Sequence, residues 1–465
     1  MRKSLIAFGL LLLCASLFLG AAMTAVDSGK DQIVVTETTL TGDASAAAGL
    51  RIEQFQNRNS TLFWHTSYEA SAEPEAVTEF EFGQSKHEQE IRIPNHYVEL
   101  RPASMNFGMS GNIDLEKERG SMDGLDSESL TMVRDVASRT PPGETCTEIL
   151  KLKDYFERYP IGLSSNLYGT LVHDEIYAQQ CAFLETYFSF PIGEQEQLEV
   201  TVSRDSRGQI YDVNCHQYIP EDQDPKFMNI YSDSVVVEDH IYLLLRGNME
   251  VSQIRDGYGI YRIPITEVQQ IGEYSFQYPQ THFAVEEIAN VYPLPKSCRE
   301  TVRLLQSPQD GELLLFETGE ETVTLRILDS RDLTVKQSLD LGRTEVPILW
   351  QCEDLLVCVY ELYTEDAVLQ VWQPGADGYT LWLETDLYPL YEVGWYNEPV
   401  LAFDGQRLAV AALWEYYRSA SFRVSVYDST GVIYAGDYAI NSDTLPAENS
   451  LESYNWVEPL QIHWN

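Results

Sequence analysis

The side chains with the most recognition chemistry gather in three short stretches near the C-terminal end. They are Tyr363-Thr-Glu-Asp366, Tyr388-Pro-Leu-Tyr391 continuing to Trp395-Tyr396, and Trp414-Glu-Tyr-Tyr-Arg418. Aromatic rings beside a few charges suit stacking on sugar faces or gripping a peptide, with hydroxyls and an arginine fork as polar handles. We therefore take Tyr363, Asp366, Tyr391, Trp395, Tyr396, Trp414, Tyr416, Tyr417 and Arg418 as candidate ligand-binding residues. Packing of the same rings along sheet edges is the competing reading.

Spacing argues against the commoner catalytic devices. The eight histidines are His65, His87, His96, His173, His216, His240, His282 and His463, and none lies three or four residues from another. A local zinc pair is therefore missing. A serine nucleophile elbow needs Gly-x-Ser-x-Gly, and Gly108-Met109-Ser110-Gly111 brings the second glycine one place too early. That stretch reads as a flexible loop. The acidic run Glu221-Asp-Gln-Asp224 lacks the alternation, glycine and closing glutamate of a calcium loop, and reads as a solvated linker. With 72 Asp and Glu, carboxylate pairs arise by chance, and glycosidase acids are defined by separation in space. The sequence names no catalytic residue, no metal ligand and no cofactor.

The candidate stretches interrupt a repeated pattern of short apolar runs. Pro399-Val-Leu-Ala-Phe403, Arg407-Leu-Ala-Val-Ala-Ala-Leu413, Phe422-Arg-Val-Ser-Val-Tyr427 and Val432-Ile-Tyr434 onward read as four strands. The turn Asp428-Ser-Thr-Gly431 opens on Asp and closes on Gly, as type I turns prefer. Residues 346–383 and 302–341 give the same order. Third-strand positions Ile327, Val371 and Val426 are equivalent and lie 44 and 55 residues apart. Four strands per unit at these periods resemble a β-propeller. The resemblance is architectural and covers about half the chain. No Trp-Asp dipeptide or Gly-Gly pair occurs, and Ser203-Arg-Asp205-Ser-Arg-Gly208 approaches the sialidase Asp-box with its glycine displaced and no tryptophan. No family activity follows. In a four-stranded antiparallel unit, the loop between strands 2 and 3 shares a face with the loop entering strand 1, which should bring the three aromatic stretches to one rim.

The expected fold is all-β: a propeller of about seven, six to eight, four-stranded blades over 146–465, behind an irregular N-terminal β region at 26–145 containing a long loop. β-Sandwich domains are the alternative. A short helix is expected at 127–138, residues 147–159 fit either helix or strand, and Tyr187-Phe-Ser-Phe190 reads as a strand. Lys+Arg of 31 against 72 acids gives a net charge of −41, which repels nucleic acid and anionic lipid. Met1-Arg-Lys3 followed by an apolar run over 5–22 marks 1–25 as a signal peptide or membrane anchor, so the chain is expected to be exported, extracellular or in the cell envelope, from a bacterium. Six cysteines outside that run, Cys146, Cys181, Cys215, Cys298, Cys352 and Cys358, permit up to three disulfides, with buried thiols the alternative for the last two. These features fit a non-enzymatic binding or sensing protein for a polymer, peptide or protein partner. A propeller hydrolase or lyase acting on extracellular polysaccharide and an envelope-anchored scaffold are the alternatives.

Overall fold

The computed structural model describes residues 2–30, 33–58, 62–82, 98–102, 107–115, 129–159, 161–165, 175–194, 196–219, 230–247, 254–271, 278–294, 302–362, 364, 366–376, 378–387, 399–413, 421–440 and 461–465. Over these residues the fold is all-β, with three α-helices and a set of antiparallel sheets, several of them four-stranded. The chain forms two compact units, residues 1–91 with 347–465, and residues 92–346.

The first unit opens with helix α1 (Arg2–Lys30), whose apolar side chains Leu11, Leu17 and Phe18 are exposed. Among the described residues, no helix is long and apolar enough to cross a membrane. Strands β1 (Val35–Gly42), β2 (Leu50–Arg58), β3 (Leu62–Glu69) and β4 (Val77–Phe82) follow. Alternation buries Leu50 and Ile52 on one face of β2. Between β1 and β2, the Asp43 carboxylate accepts from the Ser45 N–H at 2.9 Å and caps a single 3₁₀ turn.

The second unit begins with β5 (Val98–Pro102) and β6 (Phe107–Ile113). The flexible loop expected at 108–111 is corrected here. It is a strand, because Met109 and Ile113 are buried while β10 (Ile210–Tyr218) pairs along it from Ile113 to Phe107. Helix α2 (Ser129–Arg139) matches the expected short helix and covers this sheet, with Leu130, Met132, Val133 and Val136 buried against Leu198, Val200 and Val202. The ambiguous stretch resolves as strand β7 (Thr145–Lys151), in register with β9 (Gln197–Arg204). Next come β8 (Ile161–Ser165), paired with β5, and helix α3 (Glu175–Phe188). The strand expected at 187–190 is also corrected. Leu184, Tyr187 and Phe188 share one buried helical face, a 3–4 spacing that outweighs the short aromatic alternation. The order β6-β10-β9-β7 completes this sheet.

Strands β11 (Ile230–Val237), β12 (His240–Gly247), β13 (Gly259–Ile271), β14 (Tyr278–Phe283) and β15 (Ala289–Pro293) form the next sheet. The 13-residue β13 pairs with β15 through its first half and with β14 through its second. Strands β16 (Val302–Gln306), β17 (Glu312–Thr318), β18 (Val323–Asp329) and β19 (Val335–Asp340) are the first sequence repeat, paired in chain order.

The other two repeats belong to the first unit. They are β20 (Ile348–Cys352), β21 (Leu355–Tyr360), β22 (Val368–Gly375) and β23 (Gly378–Asp386), then β24 (Val400–Phe403), β25 (Leu408–Leu413), β26 (Ser421–Asp428) and β27 (Gly431–Ile440). Ile327, Val371 and Val426 are buried in the third strands as the spacing requires. Directly after each, the pairing with the fourth strand slips by one residue, leaving Lys336, Trp382 and Ile433 as the extra residues. A bulge at one place in every repeat gives each sheet the same local bend and added twist. Strand β21 is buried on both faces, which explains its unbroken apolar run.

The two ends of this unit pair with each other. Strand β28 (Gln461–Trp464) sits against β2, from Leu50↔Trp464 to Glu53↔Gln461, giving the order β28-β2-β3-β4. Strand β1 adds to β27 as a fifth strand of the last repeat. Trp464 Nε1 donates to the Ala402 carbonyl at 3.1 Å, and the Asn465 N–H donates to Gly49 at 2.8 Å. Arg407 lies 4.0 Å over the Trp464 ring and donates to the Ala46 carbonyl at 2.7 Å. Beneath, Tyr68, Phe422, Tyr434 and Tyr438 share a core with Leu50 and Ile52, and Phe422 stacks on Tyr438 at 5.5 Å. The Tyr434 hydroxyl reaches Glu37 and Tyr438, both at 2.9 Å, and occupies the space that a Cβ on Gly436 would need. Trp464→Ala should therefore destabilise the protein by about 2–3 kcal/mol, less than a fully buried ring, and Gly436→Ala by about 1–3 kcal/mol through overpacking. Urea unfolding midpoints at unchanged slope check both.

Candidate functional site

The described strands fix the end of its own sheet from which each aromatic stretch departs. In an antiparallel meander, the first strand starts where the second ends and the third starts. Residues 361–367 join β21 to β22, residues 414–420 join β25 to β26, and residues 387–399 join the end of β23 to the start of β24. Each connection leaves its sheet at the end where the first strand begins. Of the candidate residues, only Asp366 is described. It is exposed, its N–H donates to Thr364 Oγ1 at 3.2 Å, and the Thr364 N–H bonds back to the Glu361 carbonyl at 2.9 Å. Tyr363, Tyr391, Trp395, Tyr396, Trp414, Tyr416, Tyr417 and Arg418 lie outside the described residues.

Much of the acidity does local structural work. Asp205 accepts from the N–H groups of Arg207 and Gln209, Asp329 from Arg331, Asp404 from Gln406 and Arg407, and Asp428 from Thr430. Each carboxylate closes a hairpin turn by bonding backbone two to four residues ahead. The Asp-box-like stretch at Asp205 is one such turn. These bonds favour the charged form. The Gln209 N–H leads at Asp205, the Arg331 guanidinium at Asp329 and the Thr430 hydroxyl at Asp428, and each carboxyl is held below its ordinary value. At Asp404 partial burial opposes ionisation, but the Gln406 and Arg407 bonds outweigh it.

Of the six cysteines that would permit up to three disulfides, the four whose side chains are described are unbridged, as the buried-thiol alternative has it for Cys352 and Cys358. Cys146, Cys215, Cys352 and Cys358 are free. Cys146 pairs with Val202 and Cys215 with Val200 on opposite sides of β9, so two strand spacings, about 9–10 Å, separate them, beyond the ~7 Å a bridge allows. Cys352 is in register with Leu355, whereas Cys358 points to the opposite face of β21. Burial pushes the Cys215 and Cys352 thiols up to about 12. The side chain of Cys181 and all of Cys298 lie outside the described residues. Among the described residues, His65 stands beside Glu53 at 3.3 Å, His216 beside Glu199 at 3.0 Å and His240 beside Asp239 at 2.6 Å. Among the described residues, no group of three or more His, Cys, Asp or Glu could hold a metal ion.

One polar cluster in the second unit was not read from the sequence. Asp233, on β11, contacts Arg246 Nη2 at 3.3 Å and Arg303 Nε at 3.1 Å, and accepts from the Leu304 N–H at 3.3 Å. The adjacent Ser232 hydroxyl accepts from the Leu100 N–H at 2.8 Å. Side chains of β11 thus cap edge N–H groups of both β5 and β16. The Arg246 guanidinium lies 5.1 Å from the Tyr231 ring centre, its side chain is 10% exposed, and its Nε has no hydrogen-bond partner among the described residues. Burial lowers its pKa against the pull of Asp233. The available signal was an arginine extending the apolar run Ile241-Tyr-Leu-Leu-Leu245.

No protein-family model matches the chain, and comparison with curated proteins finds no significant relative.

Two outcomes follow from these groups. Turn carboxyls with lowered folded pKa values contribute stability above their unfolded value of 3.8 and lose it as pH falls through the folded values. Urea midpoints should hold from pH 7 to about 5 and drop below about 4, with a shallower drop in Asp428→Asn. Cys215, Cys352 and Cys358 should resist a thiol reagent at pH 8 in the native protein and react once it is unfolded.

Proposed function

We propose that the chain is an exported β-propeller protein that binds a polymer, peptide or protein partner through loops on one rim. What supports the binding reading is that residues 361–367, 387–399 and 414–420 each leave their own sheet at the end where its first strand begins. Those segments contain the Tyr and Trp cluster with its few charges, a composition suited to a recognition surface. Antiparallel sheets with matched bulges suit blades. The composite sheet β28-β2-β3-β4 supports ring closure, because a ring needs its first and last sheets joined. On this reading there are six blades, at the low end of the sequence expectation. Five are the sheets β28-β2-β3-β4, β11–β15, β16–β19, β20–β23 and β24–β27, and the sixth starts from β5 and β8. The sheet β6-β10-β9-β7 with α2 is then an insertion. The basic start and apolar run of α1 support export.

Screening the purified full chain against glycan and peptide arrays tests this reading. Trp414→Ala and Tyr417→Ala should weaken binding of a retained ligand about tenfold or more with little change in Tm. A large fall in Tm with binding intact would assign these rings to packing. Shortening of a bound polysaccharide over time would replace the binding reading with a hydrolase or lyase.

A further inference from the structure

The chain carries a net charge of −41, yet in the second unit two guanidiniums share one acid. Among the described residues, Asp233 is the carboxylate that contacts Arg246 and Arg303. Counting these three groups alone, one positive charge is in excess. Arg246 is nine-tenths buried beneath Tyr231. Arg303 is 48% exposed and engages Asp233 through Nε, so its terminal nitrogens have no partner among the described residues. A fork with free N–H groups matches a carboxylate in geometry and charge, and the buried cation behind it strengthens the attraction. Tyr231 is two residues from Asp233 on β11 and projects from the same face of the strand. One face of its ring is covered by Arg246, while the residue is 44% exposed. An exposed aromatic face beside a carboxylate fork suits a ring-shaped ligand that bears the acid, because stacking and ion pairing are satisfied together.

We infer that Tyr231, Arg246 and Arg303 form a binding site for an acidic sugar, with the sugar ring stacked on Tyr231 and its carboxylate on Arg303. The site rests on the reading of the chain as a binding protein and lies apart in sequence from the Tyr363–Arg418 stretches. An acidic polysaccharide would carry such a group on successive residues.

The test is calorimetric titration of the full chain with oligogalacturonate, neutral oligogalactose and a glutamate peptide. Oligogalacturonate should bind at least about tenfold more tightly than the other two, and more weakly as salt rises. Arg303→Ala should abolish that preference, Arg303→Lys should keep charge but lose most of the gain, and Tyr231→Ala should weaken binding at unchanged Tm. If Arg303→Ala fails to fold, Arg303→Lys and Tyr231→Ala decide. Equal binding of oligogalacturonate and oligogalactose, full binding by the Arg303 variants, or no binding by the wild type overturns the site. Preference for the glutamate peptide overturns the sugar assignment. Loss of array binding in Trp414→Ala with no oligogalacturonate binding would leave the rim reading standing and remove this one.

Discussion

The pairing of β28 with β2 is the interaction on which the first unit depends. Without Gln461–Trp464, strands β2 to β4 make a three-stranded sheet with an open edge. Together with the pairing of β1 and β27, they place the N-terminal strands in the same unit as the C-terminal repeats. The pairing is short, so its strength comes from side chains. Trp464 is held on both sides, by the Ala402 carbonyl and the Arg407 guanidinium, and Arg407 in turn binds the turn before β2. On the far edge, β1 caps β27, and Glu37 reaches the Tyr434 hydroxyl inside the core. Both ends of the chain are thus fixed by contacts more than 350 residues apart in sequence.

A strongly acidic chain pays an electrostatic cost for compactness, which local hydrogen bonding reduces. Asp205, Asp329, Asp404 and Asp428 place their charges on backbone N–H groups of their own turns. The same device recurs at strand edges. Ser232 and Asp233 cap the N–H groups of Leu100 and Leu304, which otherwise lie at open edges. Turn closure and edge capping give many of the polar side chains structural duties, so acid content alone says little about chemistry.

The repeats were legible because period-two alternation and Asp-Gly punctuation are local. Ile327, Val371 and Val426 could be aligned by counting, and each sits in a third strand beside the same bulge. The bulges themselves were not legible, since one extra residue leaves no compositional mark. Nor was the partner of β2, because a four-residue strand after a long connection carries no signal of where it pairs. Helix α3 was missed because Tyr187 and Phe188 fit an aromatic strand as well as a helical face until Leu184 is seen beside them. Met109 lies between Gly108 and Gly111, so only its burial and the pairing with β10 reveal a strand. The Asp233 cluster depends on residues from three strands and was invisible for that reason.

Native-state hydrogen exchange of the C-terminal peptide 461–465 tests the pairing of the chain ends most directly. The Asn465 N–H bonds Gly49, and the ladder assigns the inward N–H of His463 to β2. The account predicts that these amides exchange as slowly as those of β3 and lose protection together with β2 when Trp464 is replaced by alanine. Exchange at the rate of an unstructured peptide, with β2 and β3 still protected, would contradict it.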